Sequence, residues 1–165
     1  MARFPAAILF GLVVLTAHAQ TPPAGERWDV PLDPRDWKLV QHDGNERQSE
    51  RTYVRHGDNA YFWNERIVSG FRATGANPED YIAGFVEELM ESCRPLKVSA
   101  LDQDAASILF QWQGDCRIYG PQIEFRRVML DKGGLHYFAY ATKPGRLSDA
   151  KKELWLATLR GARLK

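Results

Sequence analysis

Two cysteines, two carboxylates set among large apolar residues and a histidine in an aromatic run are the groups with which this chain could do chemistry. Glu65 falls in YFWNERIVSGF and Glu124 in PQIEFRRVML. A carboxylate so surrounded is unusual unless it faces water or has a partner. Arg66, Arg72, Arg126 and Arg127 stand beside them, and His136 follows in GLHYFAYAT. Were these groups to converge, they would form a polar patch that holds a ligand or moves a proton, with Glu65, Glu124 and His136 as the catalytic candidates. The competing expectation, and the favoured one, is a solvated sheet face carrying cross-strand ion pairs, each worth little. His136 has no orienting partner in its local sequence, which a general base needs. Nothing matches G-x-S-x-G, S-x-x-K, H-E-x-x-H, a phosphate-binding loop or a calcium loop. A dispersed constellation stays open; a local one does not.

Cys93 and Cys116 admit three readings: catalytic thiol, metal ligand or structural bridge. The chain begins MARFPAAILFGLVVLTAHAQ, with one charge at Arg3, an apolar run from Ala6 to about Ala17, and Ala17-His18-Ala19 before Gln20. This is the grammar of a secretory signal peptide over residues 1–19, with cleavage expected after Ala19. The run is too short for a spanning helix, so no stable membrane anchor is expected after cleavage. No cysteine lies near the cut to accept a lipid. Export, periplasmic or beyond, would deliver an even number of cysteines to a compartment where disulfides persist, and only one intramolecular pairing exists. Such a bridge would stabilise the fold by about 3 kcal/mol through the entropy of the unfolded chain. A metal site would need clustered ligands, yet His42, His56 and His136 are each isolated. The cysteines therefore argue for architecture, with reactive or intermolecular thiols as the remainder. No metal and no cofactor are indicated.

The mature length, about 146 residues, fits one domain with a single core. The 22 basic and 21 acidic residues of the whole chain nearly cancel, so there is no electrostatic case for nucleic acid or an anionic membrane.

The elements that must position these groups follow from punctuation and period. Residues 20–36, rich in proline and charge, read as an extended leader or linker, leaving residues 37–165 as a single domain. Strands are expected at 37–42 and 49–55 around the turn Asp43-Gly44-Asn45, and at 60–73 after His56-Gly57-Asp58-Asn59. In the third strand, alternation would place Trp63, Glu65, Ile67 and Phe71 on one side, and Phe62, Arg66, Val68 and Arg72 on the other. Asn77-Pro78-Glu79-Asp80 supplies a cap, a proline at the first helical position and two acids in the first turn. Tyr81, Phe85 and Leu89 then mark an amphipathic helix ending before Pro95, with Cys93 in its last turn. Strands resume at 96–101, 106–113, 121–130 and 134–142, the last two joined by Asp131-Lys132-Gly133-Gly134. A final helix from Ser148-Asp149 would carry Ala150, Leu154, Trp155 and Leu159 on one side. The tail GARLK would fray or add a short edge strand. This order describes an α+β domain: a mostly antiparallel sheet of six to seven strands, one face buried under two helices.

Trp63 with Glu65 in an early strand, a helix ending at Cys93, Leu109-Phe110-Gln111-Trp112 followed by Cys116, Glu124 in the next strand and Trp155 in the last helix form a pattern. It resembles small exported bacterial proteins of uncharacterised function that are similar in layout to the PsbP-like α/β fold. The resemblance spans about residues 37–160 and implies an antiparallel sheet packed with helices. It implies no reaction, since that fold serves accessory and binding proteins.

Most aromatics at strand and helix spacing are core, but some of Trp63, Phe110, Trp112, Phe138 and Tyr140 are expected at a groove or interface. Trp63, Arg66, Arg126 and Tyr140 are the ligand-binding candidates. The preferred function is a nonenzymatic exported binding or accessory module that recognises a protein or small ligand, in an oligomeric state the sequence does not specify. The alternative is a small periplasmic hydrolase or other acid–base enzyme using dispersed Glu and His residues.

Overall fold

A computed structural model describes residues 28–165; the expected signal peptide and the first part of the leader lie outside them. Seven strands, β1 (Trp37–Gly44), β2 (Gln48–Arg55), β3 (Glu65–Arg72), β4 (Cys93–Gln103), β5 (Ser107–Cys116), β6 (Gly120–Asp131) and β7 (Gly134–Thr142), form one antiparallel sheet. Helix α1 (Pro78–Ser92) joins β3 to β4, and α2 (Asp149–Gly161) follows β7. The order β1-β2-β3-β7-β6-β5-β4 is two meanders fused at their centre by the β3–β7 pairing. The sheet and helices are those the periodicity predicts.

The helices depart from expectation in their placement. They cover opposite faces: α1 packs through Tyr81 and Leu89 on Phe110, Trp112, Val128 and Tyr137, whereas α2 packs through Trp155, Leu156 and Leu159 on Leu109, Phe125, Phe138 and Tyr140. A solvated face opposite the helices therefore does not form along the central strands. Every residue of β7 is buried, because alternate side chains meet a helix on each side. On α2, Leu154 is exposed and Leu156 takes the core position instead.

The caps form as their residues dictate. Asn77 Oδ1 accepts from the Asp80 amide at 2.8 Å, and Ser148 Oγ accepts from that of Lys151 at 3.3 Å, satisfying donors the helices leave open. Gly134 sits at φ +141° against the Arg72 carbonyl oxygen, where any β-carbon would collide. From the leader, Trp28, Val30 and Leu32 lie on the α2 face, with Trp28 bridging Leu164 of the tail.

Cys93 caps α1, opens β4 and pairs in register with Cys116, to which it is disulfide-bonded. The Arg117 amide donates to the Ser92 carbonyl at 2.9 Å beside it. The bridge thus fixes the end of α1 to the β5–β6 turn, residues 117–119.

Candidate functional site: a buried ion strip beside an aromatic cleft

Register decides which of the chemical groups meet. Arg66 and Glu124 both oppose Ala141 of β7, so they share the α1 face two strands apart. Glu124 is 0% exposed. Its Oε1 accepts from Trp112 Nε1 at 3.0 Å and from Arg126 Nε at 2.8 Å, while Arg66 Nη2 approaches Oε2 at 3.7 Å. One carboxylate thus serves two guanidiniums. A buried charge needs such partners, since desolvation alone is worth several kcal/mol against it.

Each guanidinium has its own aromatic roof. Arg126 lies under α1, 4.1 Å from the Phe85 ring centroid, and donates to Tyr81 Oη at 2.8 Å. Burial opposes its charge most strongly, but Glu124, Tyr81 and Tyr137 together outweigh that and hold its pKa above the ordinary arginine value. Tyr81 is pushed up by burial, partly offset by Arg126. Arg66 lies under the β2–β3 loop and the β5–β6 turn, 4.5 Å from Trp63 and 5.0 Å from Tyr119. Burial lowers its pKa more than Glu124 raises it, consistent with the longer ion-pair distance. Arg66 Nε and Glu124 Oε2 have no hydrogen-bond partner among the described residues.

Beside Arg66 the surface opens into a cleft of about 540 Å³. Its walls come from the loop 57–64, the turn 118–120 and Lys143, just after β7. The loop holds itself: Asp58 accepts from the Asn64 amide at 2.8 Å, and Asn59 Oδ1 from the amides of Tyr61 and Phe62 at 2.9 and 3.0 Å. These side-chain bonds replace the strand ladder over 60–64. The third strand accordingly starts at Glu65 rather than residue 60, and Trp63 turns onto the α1 face instead of joining Glu65. Tyr61 and Phe62 are left 71% and 79% exposed, and Ile118 across the cleft 66%. Lys143 Nζ donates to the Tyr119 carbonyl and lies 4.1 Å over the Trp63 ring. Burial, then the neighbouring Arg66, lowers its pKa.

The remaining candidates lie elsewhere. Glu65 faces α2, bonded to Arg55 Nε and Nη2 at 3.1 and 3.0 Å and to Lys151 Nζ. Burial would raise its pKa, but those donors lower it overall. Tyr140 is fully buried and stacks on Trp155 at 4.2 Å; burial and then Glu65 raise its pKa. His136 is on the α2 face at the far end of β7, beside Phe71 and 3.3 Å from Asp131. Thus Arg66, Glu124, Arg126 and Trp63 come together, whereas Glu65, Tyr140 and His136 do not join them. Phe110, Trp112 and Phe138 are core; the aromatics left exposed at the cleft are Tyr61 and Phe62. Sequence reading passed over Tyr61, Ile118, Tyr119 and Lys143. The signal for Tyr61 and Phe62 was the Asp58-Asn59 pair, whose turn chemistry ends strand alternation before them. Among the described residues no cluster of His, Cys, Asp and Glu could hold a metal ion, and no helix is long and apolar enough to cross a membrane.

No protein-family model matches this sequence, and no curated protein is similar to it. The chain is similar in structure to the cyanobacterial PsbP protein (CyanoP) of Synechocystis sp. PCC 6803, with a TM-score of 0.54 and 14% identity over 92% of this chain and 99% of that one. At that identity the likeness concerns the fold, and the fold of this chain is PsbP-like.

Proposed function

We propose that this protein is a nonenzymatic exported binding module whose recognition face is the cleft between the loop 57–64, the β5–β6 turn and Lys143, and whose ligand is a segment of another protein. The observation that carries the reading is the exposure of Tyr61, Phe62 and Ile118 around one concavity, on a loop braced by its own side chains. Rigid aromatics at a rim bury large area at small entropic cost, the property of binding hot spots. Export rests on the signal-peptide pattern of residues 1–19 and is supported by the Cys93–Cys116 bridge, which suits an oxidising compartment. The acid–base alternative drew on Glu65, Glu124 and His136; Glu124 lies on the α1 face, whereas Glu65 and His136 lie on the α2 face at opposite ends of β7, which favours the binding module.

The test replaces Tyr61 and Phe62 with serine in the full-length protein, expressed in an exporting host. Partners are captured by crosslinking and identified by mass spectrometry. Loss of a specific partner at unchanged melting temperature supports the module; identical partner sets for both proteins would refute the cleft as the recognition face.

A further inference from the structure

We propose that the segment taken by the cleft is acidic, presenting a carboxylate next to an apolar side chain, with Lys143 binding the carboxylate and Tyr61, Phe62 and Ile118 enclosing the neighbour. This rests on the reading of the cleft as a recognition face and names what it recognises.

The charges around the cleft carry the argument. Lys143 Nζ and the Arg66 guanidinium lie 4.1 and 4.5 Å from the same Trp63 ring. The two cations on this ring repel, and Arg66 adds to burial in lowering the Lys143 pKa. On the inner side the anions acting on Arg66 are Glu124, already bonded to Arg126 and 3.7 Å from Arg66, and then Glu50. At the cleft wall Asp58 is spent on the Asn64 amide and side chain. Asp115, on β5, attracts Lys143 without pairing, and burial with Arg66 still lowers the lysine's pKa. Among the described residues Lys143 Nζ donates to one acceptor, the Tyr119 carbonyl, leaving two of its three N–H donors. A carboxylate entering here meets open donors and relieves the repulsion between Lys143 and Arg66. A cationic or neutral segment gains neither, so the field selects as well as attracts.

The experiment follows the amide and indole signals of the isotopically labelled, oxidised protein while two peptides are added. N-acetyl-Asp-Phe-amide carries the carboxylate; N-acetyl-Asn-Phe-amide is its neutral isostere. The expected result is movement of the Trp63 indole and the Tyr61, Phe62 and Ile118 amides, with the Asp peptide binding roughly tenfold tighter, the scale of one charge-assisted bond. Lys143→Gln should abolish that preference, and Lys143→Arg should retain it. Equal binding of both peptides at these signals, or a preference that survives Lys143→Gln, would overturn the acidic ligand and leave the cleft as an apolar docking face. If neither peptide moves any cleft signal, the recognition face itself fails with it.

Discussion

Glu65 and Glu124 flank β7 at neighbouring register positions yet lie on opposite faces of the sheet, since Glu65 pairs with Thr142 and Glu124 with Ala141. A single residue of offset reverses side-chain direction. One carboxylate is therefore shared by Arg66 and Arg126 beneath α1 and the Trp63 loop, and the other ties α2 to the sheet through Lys151. Their different surroundings give separate predictions.

Glu124→Ala leaves two guanidiniums buried without their shared anion. Loss of one partner from a buried ion pair costs about 3–5 kcal/mol, and urea denaturation should show that loss. Glu124→Gln keeps an oxygen for Trp112 and Arg126 and should lose less. Equal stability of the Ala variant and wild type would show that the strip does not hold the α1 face together.

The Glu65 cluster makes stability depend on pH. Its pKa in the folded chain is below the ordinary 4.5, so the contribution is present above that value and lost as pH falls through the folded one. Glu65→Gln should be less stable than wild type at neutral pH, with the gap closing below about pH 4.5. Denaturation midpoints of both proteins from pH 7 to 3 check this; a constant gap would contradict it.

Gly70 lies under the Tyr137 ring, and a β-carbon there would overlap that ring and come 2.6 Å from the Ser49 carbonyl oxygen. Gly70→Ala should displace Tyr137, break its 2.7 Å hydrogen bond to Glu50 and destabilise the fold by about 1–3 kcal/mol. Thermal melting measures the cost. Tyr137→Leu introduced with it should recover part of the loss, because the obstructing hydroxyl is removed.

Replacing Cys93 and Cys116 together with serine should cost about 3 kcal/mol for a sequence separation of 23 residues. The effect should extend to the cleft, since the bridge anchors the turn bearing Ile118 and Tyr119. Hydrogen exchange should therefore quicken at 117–119 more than at β1 or β2. Uniform acceleration across the sheet would show that the bridge contributes global stability alone.

Strand and helix identities were legible because each rests on local chemistry: the Asn77-Pro78 start of α1, the Gly133-Gly134 turn, the change of period after Thr74. The disulfide was legible from count and expected compartment. The placement of α2 opposite α1 was harder to read, although GLHYFAYAT has no polar alternation and such a run marks a strand buried on both sides. The expectation of a wet face for Glu65 and Glu124 came instead from the habit of antiparallel sheets to leave one face to water.

The cleft was not legible. Its walls come from residues 57–64, 118–120 and 143, segments that have no common period and meet because β3, β6 and β7 are neighbours in the sheet. By itself the sequence determined which segments become strands and helices and which cysteines pair, since turns, caps and a single pairing option are local or combinatorial facts. Only the tertiary structure decided that Arg66 and Arg126 share Glu124 while Lys143 lies over Trp63, because proximity across strands depends on register and on which face each helix covers.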